Sequence, residues 1–128
     1  MEWVIDIGPV LDGLKPEGRS PERRVLLSPE LGSASHLAVG LSVFGPHAVA
    51  ERHSHPAEEV GYVLSGGGIQ TVGEVSEEIR AGSVTHVGPG LEHQTTAGPE
   101  GIVQVWVYAP AGSEKRWMGT SESEEAIP

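Results

Sequence analysis

Glycine and proline interrupt this chain so often that only short segments of regular structure fit between them. Among 128 residues there are 18 glycines and 10 prolines. Between them lie short apolar segments, several of which alternate with a period of two, as half-buried strands do. They are residues 37–44, 60–64, 69–72, 75–79, 83–87 and 102–108. Gly73 and Glu74 separate two of them and predict a tight hairpin. We therefore expect an all-β domain, a closed barrel or a sandwich, with little or no helix.

The length of the chain suits one domain and leaves little room for a second. We expect residues 25–112 to form a barrel and residues 1–24 to cover one end of it, with Trp3 and Ile5 as anchors. Residues 113–128 are expected to form an acidic C-terminal tail, because part of the negative charge lies in residues 121–125. A short helix fits only at residues 112–118.

Composition and charge exclude several classes of function. The absence of cysteine rules out disulfides, thiolate nucleophiles and cysteine-rich zinc sites. A formal net charge of −10 disfavours non-specific binding to nucleic acid or to anionic lipid. No apolar run approaches the roughly 20 residues of a membrane span, and residues 1–8 lack the pattern of a secretory signal. We therefore expect a cytoplasmic protein that binds neither nucleic acid nor a membrane.

A cluster of histidine and glutamate points to a metal site. His53 and His55 are two residues apart, so in an extended chain both imidazoles point to the same face. Pro56 then turns the chain, and Glu59 begins the next predicted strand. Imidazole and carboxylate together suit iron, manganese, nickel, copper or zinc better than calcium or magnesium. A lone His-X-His also arises by chance, so the pair alone leaves the question open.

A second motif follows at a fixed distance, and the two together resemble the cupin superfamily. The first cupin motif reads His-X-His, three or four residues, Glu, six residues, Gly, and the second reads Gly, five residues, Pro-X-Gly, two residues, His. The matching positions of the first motif are His53, His55, Glu59 and Gly66, and those of the second are Gly82, Gly90 and His93. Three loop positions depart from the family pattern, namely His47, Gly88 and Ala97. The chain is thus identified as similar to small, single-domain, RmlC-like bacterial cupins.

The resemblance implies a fold and a ligand set. The fold is a double-stranded β-helix, or jelly-roll barrel, of six to eight strands that often pairs as a homodimer. The ligands carry over to His53, His55, Glu59 and His93, which would hold one divalent transition metal ion (Fe, Mn, Ni, Zn or Cu).

An open metal site favours an enzyme acting on a small organic molecule. Four protein ligands leave about two positions on a six-coordinate ion, enough for a substrate oxygen beside water or dioxygen. We expect a metal-dependent enzyme for a small oxygen-bearing molecule, with dioxygenase-type chemistry ahead of lyase or isomerase chemistry. The alternative is a non-catalytic, metal-containing barrel that binds or senses a small ligand. Fold alone does not choose the reaction.

His36, Ser42 and His86 are the candidates for further pocket residues. Ser42 shares a strand face with Ala38 and Gly40, which would leave space for a ligand if that face looks inward. For the two histidines the alternative is an exposed position, or one satisfied in the core. His47, beside a proline in a turn, is expected to face solvent, and Glu51 and Glu58 are expected to be surface carboxylates.

The last predicted strand completes the expected pocket. We expect Val103, Val105 and Val107 to face inward, which turns Trp106 and Tyr108 outward. No arginine or lysine falls on a strand with clear inward parity. A pocket built for phosphate or a dicarboxylate is therefore not expected.

Overall fold

The computed structural model describes residues 3–118 of the chain. Within that range the structure is a jelly-roll barrel of seven strands with one α-helix and one 3₁₀ helix, which confirms the predicted fold class. The elements are α1 (Ile7–Gly13), β1 (Glu22–Leu27), β2 (Ala38–Phe44), β3 (Val49–His53), β4 (Glu58–Val72), β5 (Val75–Arg80), β6 (Val84–Val87), β7 (His93–Ala109) and the 3₁₀ helix (Ser113–Trp117).

Two long strands organise the barrel. β4 and β7 pair with each other along most of their length, and every pairing in the sheet is antiparallel. β2 and β3 pair with opposite halves of β7, while β5 and β6 pair with opposite halves of β4. β1 extends the sheet beyond β2. The two halves of each long strand thus run through both sides of the barrel, which places residues distant in sequence around one interior.

The glycine-rich segment 65–68 does not end a strand, although the sequence suggested that it would. Residues 60–64 and 69–72 both belong to β4, and the pairing with β7 only shifts register around Gly66 and Gly68. A Cβ at Gly66 would lie 2.8 Å from the carbonyl carbon of Gly101, and one at Gly68 would lie 2.9 Å from Cα of Ala97. These glycines let two backbones approach closely where the long strands bend. The predicted hairpin at residues 73–74 is present, with Val72 paired to Val75.

The N-terminal segment is not anchored by Trp3 and Ile5, contrary to the expectation from the sequence. Trp3 is 89% exposed and Ile5 is 37% exposed, so neither side chain anchors the segment. A short helix that the sequence did not predict, α1, begins after Asp6, whose carboxylate accepts a hydrogen bond from the Gly8 amide at 3.0 Å. None of its residues is buried, and Leu14, directly after the helix, is the residue that packs into the protein.

Two apolar clusters fill the barrel. One gathers Phe44, Ala48, Ala50, Val63, Ile79, Ala97 and Ile102, and the other gathers Val25, Ala38, Ala57, Trp106 and Tyr108. Trp117 and Met118 pack against the second cluster, so residues 113–118, assigned above to the tail, cover that part of the barrel. The acidic segment 121–125 lies outside the described residues. Among residues 3–118, no helix has the length and apolar character that a membrane crossing requires.

Candidate metal centre

The structure brings together the four side chains that the two motifs singled out. His53 ends β3 and is paired with His93, the first residue of β7, while Glu59 is the second residue of β4. His55 lies in the connection between β3 and β4. One nitrogen of each histidine lies within 4.8 Å of the others. Glu59 Oε1 lies 3.1 Å from His55 Nε2 and 3.4 Å from His93 Nε2.

All three imidazole rings are held in the same way, through the ring nitrogen Nδ1. Each Nδ1 lies within hydrogen-bond distance of a backbone carbonyl two residues away, so each ring carries its proton on Nδ1 and donates it. The distances are 2.7 Å from His53 to Glu51, 2.9 Å from His55 to Ala57 and 3.0 Å from His93 to Leu91. Such bonds fix the tautomer and the ring orientation of metal-ligating histidines. The carboxylates of Glu51 and Glu58 take no part in this, and both residues are exposed as expected.

The donor atoms left free by this arrangement fit a cation. His93 Nε2 is buried and has no hydrogen-bond partner among the described residues. With each proton on Nδ1, the Nε2 lone pairs converge beside the Glu59 carboxylate, and a positive charge between them resolves the mutual repulsion. Either a proton on one ring or a metal ion can supply that charge. Only a metal ion engages all four groups at once.

Protonation states in the site suit the same role. In the metal-free protein, where a second proton on a ring supplies the positive charge, burial raises the pKa of Glu59, but the hydrogen bond from protonated His55 and the nearby His93 ring lower it more, to about 2. Burial lowers the pKa of His53 to about 4, against the opposing effect of its hydrogen bond to the Glu51 carbonyl. At neutral pH the carboxylate is therefore ionised and His53 is neutral, the forms in which both groups bind metals.

A small cavity of about 30 Å³ adjoins these groups. Besides His53, Glu59 and His93 it is lined by Arg23, Ser42, Phe44, Ala50, Thr95, Gln104, Trp106 and Tyr108. The expected parity of β7 was therefore wrong. Trp106 and Tyr108 face inward with Gln104, and all three are buried, whereas Val103, Val105 and Val107 lie on the other, partly exposed face.

Glycines on the neighbouring strands make room for this inward face. Gly40 of β2 and Gly61 of β4 both lie opposite Trp106. A Cβ at Gly40 would overlap the indole ring, and one at Gly61 would lie 2.6 Å from Thr85 Oγ1 and closer still to the Gln104 amide nitrogen. A glycine on each flanking strand was the sequence signal for a bulky inward residue on β7, and simple alternation did not reveal it.

Of the three further pocket candidates, one lines the cavity and two do not. Ser42 is buried in the cavity wall, where its Oγ accepts a hydrogen bond of 3.0 Å from the Trp106 indole nitrogen. His36 is exposed, as is His47. His86 is exposed on β6, where it pairs with Glu58 at 2.5 Å. His36 and His86, which were proposed for the pocket, thus lie outside it. Both are exposed, which is the alternative that the sequence analysis left open.

Arg23 is the functional candidate that the sequence analysis missed. It lies on β1, one residue from exposed Arg24 and two from buried Val25, so it shares the inward face of that strand with the valine. The assignment of residues 1–24 to a covering segment concealed this parity, and the expectation of no inward-facing arginine was wrong. Burial lowers the pKa of Arg23 to about 10, against the opposing effects of Tyr108 and Glu59, so the side chain is cationic at neutral pH.

The 3₁₀ helix adds an aromatic wall beside Arg23. The Arg23 guanidinium carbon lies 3.7 Å from the centre of the Trp117 ring, and that of Arg116 lies 4.8 Å from it. Trp117 also meets the His53 ring edge-on at 5.8 Å and donates a hydrogen bond of 2.8 Å to the Tyr108 hydroxyl. Burial raises the pKa of Tyr108 well above its usual range, so the phenol stays protonated.

An outer cleft leads to this wall. Its volume is about 490 Å³, and it is lined by Ser20, Pro21, Glu22, Arg23, Arg116 and Trp117. Arg23 lines both the cleft and the inner cavity. A ligand that enters from outside therefore meets the arginines first and the histidine cluster behind them.

Comparisons with known proteins agree with this architecture. The family model described as Cupin domain matches residues 40–115. In sequence, the chain is 32% identical over 106 residues to dimethylsulfoniopropionate lyase DddW of Ruegeria pomeroyi, a match that covers 83% of this chain and 70% of that protein.

Three solved structures resemble the chain in fold alone, since each of the three is less than 25% identical. A Klebsiella pneumoniae protein with a double-stranded beta-helix domain superposes with a TM-score of 0.73 at 23% identity, over 88% of this chain and 93% of that one. An RmlC-like cupin of Shewanella frigidimarina gives 0.66 at 23% identity, over 79% and 86%. Oxalate decarboxylase of Bacillus subtilis, studied for its Mn(II) centres, gives 0.70 at 22% identity, over 86% of this chain but 31% of that protein.

Proposed function

Since this chain belongs to the cupin family, we propose that it is a metal-dependent enzyme of the lyase type that holds one divalent ion through His53, His55, Glu59 and His93. The observation that carries the proposal is the convergence of three imidazole Nε2 atoms, each ring fixed through Nδ1, beside one ionised carboxylate. The chemistry that a divalent ion would supply there is Lewis-acid polarisation of a substrate oxygen.

The lyase class is favoured over dioxygenase chemistry by the sequence relative. DddW of Ruegeria pomeroyi is named as a lyase for dimethylsulfoniopropionate and is 32% identical over 83% of this chain. Dioxygenase chemistry, placed first from the sequence, stays a prediction and now ranks second. The native metal is one of the five that the sequence analysis named.

The residues around the ion have roles that follow from their contacts. Tyr108 accepts the Trp117 indole proton, which leaves its own phenolic proton free, among the described residues, to be donated to a bound molecule. Its raised pKa keeps that proton in place until a stronger base appears. Phe44 and Trp106 line the cavity with apolar surface, which excludes bulk water and strengthens the polar contacts inside.

Metal content and turnover in two matched variants test the proposal. The protein is prepared without a metal-affinity column, its metals are quantified, and dimethylsulfoniopropionate is supplied while released dimethyl sulfide is measured. We expect one ion per chain in the wild type and in His36→Ala, which alters an exposed histidine. His55→Ala should lose both the ion and the turnover.

Each outcome has a definite reading. An ion retained at full stoichiometry in His55→Ala would contradict the ligand assignment. Bound metal with oxygen uptake on enols, catechols or diketones, and no product from the sulfonium compound, would return the dioxygenase hypothesis to first place. Bound metal without turnover on any of these substrates would favour the non-catalytic binding barrel.

A further inference from the structure

We propose that Arg23, flanked by Trp117 and Arg116, forms a carboxylate-binding subsite at the entrance to the metal-site cavity. The proposal rests on the proposed function, because it names the class of substrate that the same site would take: a small molecule with one carboxylate. Arg23 is the residue that the inner cavity and the outer cleft share. A group bound to it therefore lies between solvent and the histidine cluster.

Within residues 3–118, no carboxylate forms an ion pair with the Arg23 guanidinium. The Arg23 side chain forms no ion pair and no hydrogen bond with another described residue, and its close neighbour is the face of the Trp117 ring. The nearest carboxylate in the cavity, that of Glu59, is engaged with His55. A half-buried cation that no carboxylate contacts directly is costly, and the lowering of its pKa by burial reflects that cost. A carboxylate arriving from solvent would remove the cost.

The donor set matches a carboxylate better than a phosphate. The guanidinium is a planar fork that binds the two oxygens of a carboxylate side by side. Arg116 contributes less, because its Nη1 already donates to the Ser54 carbonyl at 3.2 Å. Among the described residues, no lysine lines either the cavity or the cleft. One free fork suits a group of charge −1, whereas a phosphate dianion needs more donors.

Trp117 positions the subsite relative to the metal ligands. Its indole is fixed by the 2.8 Å hydrogen bond to Tyr108, its edge meets the His53 ring at 5.8 Å, and its face supports Arg23 at 3.7 Å. A carboxylate held by Arg23 is thus kept beside the histidine cluster by a chain of direct contacts. Trp117 is a positioning residue, and Arg23 is the residue that touches the ligand.

Calorimetric titration with three small probes tests the subsite directly. Propionate carries the carboxylate, propionamide is its uncharged isostere, and inorganic phosphate is the competing anion. We expect wild-type protein to bind propionate at least about tenfold more tightly than propionamide, and more tightly than phosphate. Arg23→Gln should weaken propionate binding by about 10- to 100-fold, the range for hydrogen bonds between charged groups.

Two further variants separate recognition from structure. Arg24→Gln removes the same charge from the adjacent residue, which is exposed on the opposite face of β1, and should leave propionate binding unchanged. Arg23→Lys keeps the charge and the packing stem but loses the fork, so it should bind propionate at an intermediate affinity. If Arg23→Gln does not fold, as judged by circular dichroism, the propionate affinity of Arg23→Lys alone tests the subsite.

Three results would overturn the subsite: equal affinity for propionate and propionamide, wild-type affinity in both Arg23 variants, or tighter binding of phosphate. The titrations are made on metal-free and on zinc-loaded protein, so that the two proposals can fail separately. Propionate binding that depends on Arg23 in a protein that takes up no metal would sustain the subsite and refute the metal enzyme. Binding of one zinc ion per chain, with no preference for propionate over propionamide, would support the metal site and refute the subsite.

Discussion

Replacing Gly40 with alanine tests how the inward face of the last strand is built. Gly40 lies opposite Trp106 in the pairing of β2 with β7. A Cβ added there would lie 2.7 Å from Cε2 of the indole and closer still to Cζ2 and Cη2. Ordinary carbon contacts are about 3.5–4.0 Å, so the ring must move by on the order of 1 Å. It has little freedom to do so, being hydrogen-bonded to Ser42 and stacked on Tyr108 with centroids 4.5 Å apart.

The expected loss of stability follows from three contributions. Overpacking a filled core costs about 1–3 kcal/mol. Weakening the Trp106–Ser42 hydrogen bond costs about 1 kcal/mol. Alanine gains roughly 0.5–1 kcal/mol over glycine in a strand, because the unfolded chain has less freedom to lose. The sum is a loss of about 2 kcal/mol, which for a domain of this size lowers Tm by roughly 6–10 °C.

Thermal unfolding of two glycine variants measures this effect. Gly13→Ala is the control, since Gly13 ends α1 in the ordinary helical range and a Cβ there would meet nothing within 4 Å. Its Tm should equal or slightly exceed that of the wild type. Metal affinity should fall in Gly40→Ala as well, because the displaced indole pushes on Tyr108, whose ring packs against His55 at 4.6 Å. A wild-type Tm in Gly40→Ala would refute the inward placement of Trp106.

Two further predictions concern pH and assembly. The free energy of unfolding of the metal-free protein should fall as pH drops from about 6.5 to 4, because the unfolded chain protonates His53 at its ordinary pKa of 6.5 while the folded protein resists until about 4. The free energy of unfolding should fall further between about pH 4.5 and 2 as Glu59 is protonated. Urea titrations measure this free energy at each pH. If its dependence on pH between about 4 and 6.5 were as steep in His53→Gln as in the wild type, the role of His53 would be contradicted. The homodimer implied by the family resemblance stays a prediction. Val60, Tyr62 and Val84 expose an apolar strip on the outer face of β4 and β6 that such a dimer would cover, so Val84→Lys should convert dimer to monomer in sedimentation, whereas a monomeric wild type would refute it.

The grouping of the four proposed ligands could be predicted because it depends on local features of the chain. The spacing of His53, His55 and Glu59 sets their side-chain directions within one short segment, and His93 follows a turn at a fixed distance in the second motif. The fixation of each ring by a carbonyl two residues away is local as well. Backbone geometry of a few residues therefore carries most of this information.

The walls of the cavity could not be predicted in the same way. Alternation on β7 defines two faces, but which face looks inward depends on the strands on either side, and both faces read as plausible. Trp106 and Gln104 face inward because Gly40 leaves space for the indole and Gly61 leaves space for the Gln104 amide, and both contacts join segments far apart in sequence. Arg23 was missed for a related reason, since its strand joins the sheet only at the edge, beside β2.

Nitrogen-15 NMR of histidine in the zinc-titrated protein tests the metal centre most directly. Zinc is diamagnetic and accepts the same nitrogen and oxygen donors, and the two ring nitrogens of each histidine report separately on protonation and metal binding. We predict saturation at one zinc per chain, with His53, His55 and His93 bound through Nε2 and protonated on Nδ1, while His36, His47 and His86 are unchanged. Zinc binding through Nδ1, or a response confined to the three exposed histidines, would contradict the proposed centre.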